Sequence, residues 1–485
     1  MNFDEYAALD ATGLAAAIAA GDLTAVEAAE LATDAINSVN KEINAVAGGP
    51  FDRPLAHADD GCFAGVPFVI KDLICHAEGV PTRMGTRMLG DGLVPPADTH
   101  LMERFRAAGL ATVAVATTPE FGFNANTEAL AYGSTRNPWD TGRSAGGSSG
   151  GSAALVAAGA VPMAHANDGG GSIRIPAACN GLVGLKPSRG RVPLGPDLDS
   201  NALSGLAAEF AVTRSVRDAA ALLDAVAVPY PGDRVLIAPP RRPFAQEVGA
   251  DPGRLRIALH TEAWSGTAVD PEVVAAVEAV GRVLEAAGHR VDRAAPAFDW
   301  ESFLEATVTT WAAFLAESVA AVEAMTGTVA GPDNVEATSW ACIQYGRELR
   351  ILDLAAAGAV FTAVSRTVGQ FFTGYDVLLT PTTNHPPMEL GYLNADDHDL
   401  DAHGWTRRIF DAFSFTPLFN TTGTPAISLP LGQSSAGLPI GVQLAGPMCS
   451  ESMLLRLAAQ LEAAMPWASR TPAVHASRIW PMPRG

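Results

Sequence analysis

Two glycine-serine runs and one lysine carry the residue types from which an acyl-transfer site could be built. The runs are GGSSGGS, Gly146 to Ser152, and DGGGSIRIPA, Asp168 to Ala177. Glycine lacks a Cβ, so it permits positive φ and lets backbone N–H groups come close to a ligand. Three consecutive glycines, Gly169, Gly170 and Gly171, stand directly before Ser172 and can aim several N–H groups at one point, as a developing oxyanion requires. A flexible linker is the competing explanation. It fits poorly, because the first run continues from Ala153 to Ala158 in helix-forming sequence, whereas linkers continue in Gly, Ser and Pro. Ser172 therefore stands where a nucleophile would stand.

A serine hydroxyl also needs a base. His165 lies in VPMAHAN, which reads as a strand leading into the glycines, and there it reads as a structural histidine with satisfied nitrogens. Lys71 is the stronger candidate. The run VPFVIKDLI, Val66 to Ile74, surrounds it with apolar residues, and desolvation lowers the pKa of an amine until it can be neutral near pH 7. Composition points the same way: the chain holds three lysines, Lys41, Lys71 and Lys186, against 29 arginines. An amine can lose its proton and a guanidinium cannot. Asp72 is a poor salt-bridge partner for Lys71, since adjacent strand residues point to opposite faces. Lys186, in GLKPS, reads as structural beside a turn marked by Gly184 and Pro187.

The elements that must position these residues alternate between helix and strand. Thr24 and Glu27 form a capping-box pattern, and Ala28, Leu31, Ala32, Ala35 and Val39 follow at helical spacing. The segment of about 1–46 is therefore expected to be helical, with MNFDEYAALDATGLAAAIAAG as an amphipathic helix. Residues 66–74 read as a buried strand, 98–108 as a helix ended by Gly109, and 112–116 as a further strand. LRIAL, Leu255 to Leu259, is a strand. Asp270 and Pro271 are the N-cap and first residue of a helix ending near Gly288, 376–380 is another strand, and helices dominate from Glu301 to Phe372. This order predicts an α/β fold. No repeat or long linker divides the chain, so one domain over residues 1–485 is expected, with its glycine-serine core at about 63–195.

Composition excludes several functions. A net charge of −20 and a pI near 4.8 oppose a nucleic-acid surface, which needs clustered Lys and Arg. Asp4, Glu5 and Asp10 stand where a secretory leader would be basic. The apolar stretch from Ala153 to Ala164 is broken by Gly159 and Pro162 and is shorter than the roughly 20 residues of a bilayer span, so no membrane partner is expected. The five cysteines are odd in number, dispersed and without a CxxC pair, which fits free thiols in a reducing cytoplasm. His385 and His403 read as lying in polar loops without ligand spacing, so neither a metal nor a cofactor is expected.

Two other motifs compete. GRSAG, Gly142 to Gly146, has the GxSxG form of a nucleophile elbow, which would make Ser144 the nucleophile of a Ser-His-Asp esterase. That motif needs a strand into the serine, and RNPWDTGRS reads as turn. Ser38 and Lys41 satisfy SxxK, but the accompanying KTG is absent from the sequence.

The order of a lysine on a buried strand, then GGSSGGS, then GGS followed by IRIPA and GLKPS, resembles the amidase signature family. GLVGLKPSRGRV (181–192), YDVLLTPT (375–382), FNTTGTPAISLP (419–430) and GLPIGVQLAGP (437–447) extend the likeness over nearly the whole chain, and the resemblance implies the amidase signature fold, a large mixed central β-sheet covered by helices on both faces. HANDGGGSIRIPA and STRNPWDTGRS look most like the branch containing the 6-aminohexanoate-cyclic-dimer hydrolases, which hints at a linear or cyclic aliphatic amide. The resemblance implies that Ser172 attacks the acyl carbon of an amide while Ser148, after a cis peptide from Gly147, relays its proton to Lys71. The backbone N–H groups of Gly169, Gly170, Gly171 and Ser172 would form the oxyanion hole, and Ser149, Asp168 and Arg174 would brace the loop. From the residues alone, Ser148 and Ser149 are not distinguished. Many relatives carry a β-branched residue after the aspartate where this chain has Gly169, so the pocket beside the hole is expected to differ. Phe121, Phe123, Trp311 and Phe415 could line an apolar pocket, of which Phe123 and Trp311 are the preferred pair. Within the family, a free-standing amidase on a small-molecule amide, as monomer or homodimer, competes with the glutaminase A subunit of a tRNA-dependent amidotransferase.

Overall fold

A computed structural model describes residues 1–199 and 201–479. Its centre is a mixed sheet of eleven strands. In chain order these are β1 (Val46–Gly48), β2 (Pro67–Lys71), β3 (Ala111–Ala116), β4 (Met163–Asp168), β5 (Val183–Lys186), β6 (Ala208–Thr213), β7 (Arg256–Leu259), β8 (Arg290–Arg293), β9 (Val377–Pro381), β10 (Ala426–Gln433) and β11 (Pro439–Ala445). They lie in the order β1-β3-β2-β4-β6-β5-β10-β11-β9-β7-β8. β2 runs parallel to β3 and β4, β7 runs parallel to β8 and β9, and the strands between are antiparallel.

The inner strands are buried along their length because helices cover both faces, and the polar residues they carry, among them His165, Asn167 and Asp168 in β4 and Glu209 in β6, are hydrogen-bonded. Every residue of β2, β3, β4, β6 and β9 is buried. The strand beginning near Val66 is shorter than the sequence suggests. It stops at Lys71, and the chain then turns through Ile74, whose φ is +67°. Lys71 is thus the last residue of β2, and Asp168 is the last of its parallel neighbour β4. The ends of these two strands open at one edge, the usual place for a ligand crevice in a sheet of parallel strands.

The N-terminal segment is helical, as expected, but its first part is two helices. Phe3–Ala8 and Ala11–Ala20 are separated because Asp10 leaves the helical conformation to cap the second, accepting from Gly13 N–H at 2.9 Å. The Thr24–Glu27 capping box opens the third, Ala25–Ile43. His100–Ala107, Pro271–Ala286 and the helices from Trp300 to Gly374 fall where the sequence places them.

Membrane length is a correction. The stretch at 153–164 is too short, yet helices Trp300–Thr326 and Ile351–Gly374 are each long and apolar enough to cross a bilayer. Length and composition alone do not separate a span from a core helix. Here Phe303, Trp311, Leu315, Val319, Phe361, Val364 and Val368 from these two helices enter one hydrophobic cluster. A second correction concerns Asp140–Ser144, which is a strand of a two-stranded ribbon with Arg136–Asn137 where the sequence reads as turn. Gly184 lies within β5, with no room for a Cβ against Ala177, so the turn near Lys186 begins only after the lysine. His403 is helical, in Ala402–Ala412.

Phe210, wholly buried at the centre of β6, tests this core. Phe210→Ala is expected to lower stability by about 3–5 kcal/mol, read from the shift in denaturant midpoint.

Candidate active site

The crevice at the ends of β2 and β4 holds Lys71, Ser148 and Ser172. Lys71 is fully buried and donates through Nζ to Ser148 Oγ at 2.7 Å and to Asn167 Oδ1 at 2.5 Å. Both partners are neutral. Burial is the main influence on the amine and lowers its pKa from 10.5 to about 7, while the more distant charges of Glu209 and Asp168 oppose that shift. Ser148 follows a cis peptide bond from Gly147 and stands before the helix Gly150–Ala157. Ser172 is half-buried and lines the same cavity as Ser148.

The loop between β4 and the helix Arg174–Asn180 is fixed from below. Arg174 is fully buried and uses all five of its guanidinium donors. Nε and one Nη2 donor meet the two oxygens of Asp168, each at 2.9 Å. The others reach Thr416 O, Gln443 Oε1 and Asn420 Oδ1 at 2.8, 2.8 and 2.6 Å. Burial alone would raise the Asp168 pKa, but the guanidinium outweighs it and holds the carboxyl below its ordinary value. Asp168 Oδ2 also accepts from Ile173 N–H at 3.2 Å, and Thr416 Oγ1 donates to Gly170 O at 2.7 Å. Gly171 has φ +142°, a conformation open to glycine, and a Cβ there would collide with Thr416 and Ile175. Among the described residues the N–H groups of Gly170, Gly171 and Ser172 have no hydrogen-bond acceptor.

The other sequence candidates divide clearly. Ser149 Oγ donates to Asn167 O and accepts from Asn167 N–H, both at 3.3 Å, so it braces strand against loop. His165 accepts Lys71 N–H through Nδ1 at 3.2 Å, and its Nε2 lies 2.5 Å from Glu209 Oε2, as a satisfied structural histidine does. Asp72 accepts from Arg83 N–H and from the Tyr132 hydroxyl, and Lys71 is not among its partners. Ser144 is buried and its Oγ accepts from Gly146 N–H, with no histidine among its partners. Lys186 is buried and donates to Pro187 O at 2.9 Å, while Lys41 is exposed on its helix. Among the described residues no cluster of His, Cys, Asp and Glu is placed to hold a metal.

Phe123 and Trp311 stack at 4.6 Å between ring centroids and line a cavity at Ser172, whereas Phe121 lines the cavity that contains Ser148. Phe415 is fully buried, packed with His260 and Trp264. Sequence reasoning missed Asn167, Glu209, Thr416, Asn420 and Gln443. Asn167 carried a signal, since it lies two residues after His165 on the same face of β4. The remaining four come from elements distant in sequence: Glu209 and Gln443 from strands, Thr416 and Asn420 from the cap and body of the short helix Pro417–Thr422.

Comparison with known proteins shows the family. The sequence profile of the Amidase family matches residues 23–455. The chain is 39% identical over 473 residues to the 6-aminohexanoate-cyclic-dimer hydrolase of Paenarthrobacter ureafaciens, covering 96% of each protein. It is 38% identical to the putative amidase AmiC of Mycobacterium leprae over 475 residues, covering 96% of this chain and 97% of the other. A solved structure of 6-aminohexanoate cyclic dimer hydrolase complexed with substrate superposes with a TM-score of 0.91 at 37% identity, covering 96% of this chain and 99% of that one. The chain belongs to the amidase family. It is an enzyme that hydrolyses the C–N bond of carboxylic amides.

Removing one member of a buried ion pair leaves its partner's charge uncompensated. Arg174→Met is therefore expected to destabilise the protein by about 3–5 kcal/mol, measured by chemical denaturation, while Arg174→Met combined with Asp168→Asn should recover part of that loss.

Proposed function

We propose that amide hydrolysis here proceeds through an acyl-enzyme on Ser172, with Ser148 as proton relay and neutral Lys71 as base. The observation that carries this reading is the 2.7 Å hydrogen bond from Lys71 Nζ to Ser148 Oγ, in a cavity shared with Ser172. Ser172 Oγ bonds to the acyl carbon while its proton passes to Ser148 Oγ and the proton of Ser148 passes to Lys71 Nζ. The resulting oxyanion is received by the N–H groups of the Gly169–Gly171 loop and Ser172. When the C–N bond breaks, the proton returns from Lys71 through Ser148 to the leaving nitrogen. Water then attacks the ester by the same route and restores Ser172.

The substrate we favour is a linear or cyclic aliphatic amide. Phe123, Ala125, Ile175, Ile409, Phe410 and Phe413 wall one side of Ser172 with apolar surface. A 6-aminohexanoate cyclic dimer is the specific candidate among such amides, supported by the relatives named above. Glutamine is a poorer fit, because neither cavity lining contains an Arg or Lys to meet its α-carboxylate. We place the enzyme in the cytoplasm as a monomer or homodimer acting without a cofactor, in keeping with five cysteines outside any disulfide.

Ser172→Ala is expected to abolish both turnover and covalent labelling by a fluorophosphonate with the fold retained, and Ser144→Ala to leave labelling intact. Labelling lost only in the Ser144 variant would favour the nucleophile elbow instead. Lys71→Arg keeps the charge without a removable proton, and should lower kcat on the order of 10³-fold or more.

A further inference from the structure

Ser172 lines two narrow, adjoining cavities. Only the second contains Ser148, which must protonate the departing nitrogen in the reading above, so the amine portion belongs there and the acyl portion in the first. Trp311 lines both. Its indole is held by the stack on Phe123, the two rings within 8° of parallel.

The indole also occupies the room that a side chain after Asp168 would need. A Cβ at Gly169 would stand 3.0 Å from Cζ2 and Cη2 of Trp311 and 2.9 Å from Leu203 Cδ2. The glycine in DGGGS and the tryptophan are therefore a matched pair. Nε1 is two bonds from Cζ2 on the same long edge of the indole, so the N–H lies close to the glycine loop. Trp311 is only 7% exposed, and its Nε1 has no hydrogen-bond partner among the described residues. A buried tryptophan N–H ordinarily finds an acceptor.

We propose that Trp311 determines specificity by donating its indole N–H to a second, uncharged carbonyl oxygen of the substrate, so that the preferred amide carries an acceptor besides the scissile carbonyl. An uncharged oxygen suits the site. Asp168 and Glu209 line the second cavity, and no cation in either lining would offset the desolvation of a carboxylate. A donor left unpaired by a substrate that lacks the acceptor discriminates against that substrate, which is how a polar contact in an apolar site gives selectivity. The inference rests on the amidase reading with Ser172 as nucleophile.

The test compares linear amides that carry a second amide carbonyl at successive chain positions with their all-methylene analogues. Wild-type enzyme should prefer the best diamide by about tenfold in kcat/KM. Trp311→Phe keeps an aromatic ring for the stack and should lose that preference, its kcat/KM falling about tenfold further on the diamide than on the methylene analogue, chiefly through KM. Replacing Trp311 by β-(3-benzothienyl)alanine preserves the shape of the indole without its N–H and should behave as Trp311→Phe does, even if the phenylalanine variant folds poorly. Equal losses on both substrate types, or a wild-type enzyme without the preference, would overturn the proposal. Failure of wild-type enzyme to cleave any of these amides would instead count against the amidase reading of the site.

Discussion

An amine buried at the end of β2, with no carboxylate in contact, is the condition on which the site rests. Lys71 gives its hydrogen bonds to a hydroxyl and an amide oxygen, and both partners tolerate a neutral amine. The carboxylates near enough to matter are engaged elsewhere: Asp168 by Arg174, and Glu209 by His165. If either were free to approach the lysine, an opposite charge would favour the protonated amine and raise its pKa. The Arg174–Asp168 pair therefore has two consequences. It anchors the loop that presents Ser172, and it holds the Asp168 carboxylate in contact with Arg174 rather than with Lys71.

The sheet supplies the geometry. β2 and β4 are parallel neighbours, so Lys71, Asn167 and Asp168 leave the sheet on one edge without any long excursion of the chain. β6 runs antiparallel to β4 and pairs Glu209 with Asn167, which brings the carboxylate within reach of His165. Asn420, Thr416 and Gln443 arrive from the last third of the chain and close the set of acceptors around Arg174. A site whose first lysine and last glutamine are hundreds of residues apart is held together by one continuous sheet.

Much of this was legible before any coordinates. The α/β alternation, the buried run around Lys71 and the glycines before Ser172 follow from periodicity and desolvation, which act over a few residues. Lysine scarcity was less selective than it looked, because Lys186 is also buried with its pKa lowered to about 7, mainly by burial, yet its amine donates to a backbone carbonyl, that of Pro187. What separates the two lysines is the serine beside Lys71, a contact across 77 positions that no local pattern encodes. The same holds for Asn420 and Gln443, and for the fit of Trp311 against Gly169. The Asp140–Ser144 ribbon was misread because turn residues that disfavour a core strand are tolerated in a short surface hairpin. The choice of Ser148 over Ser149 came from family likeness. In the structure one serine faces Lys71 and the other faces the backbone of Asn167.

The claim that Lys71 is neutral when it acts is tested most directly by the pH dependence of the acylation step alone, measured as the pre-steady-state rate of Ser172 modification. A lysine whose pKa is lowered to about 7 gains competence as pH rises through that value. The account predicts a rate that climbs with a single ionisation near pH 7 and levels above it. A rate independent of pH between about 5 and 9, or one that rises only towards the ordinary lysine range above pH 10, would contradict it.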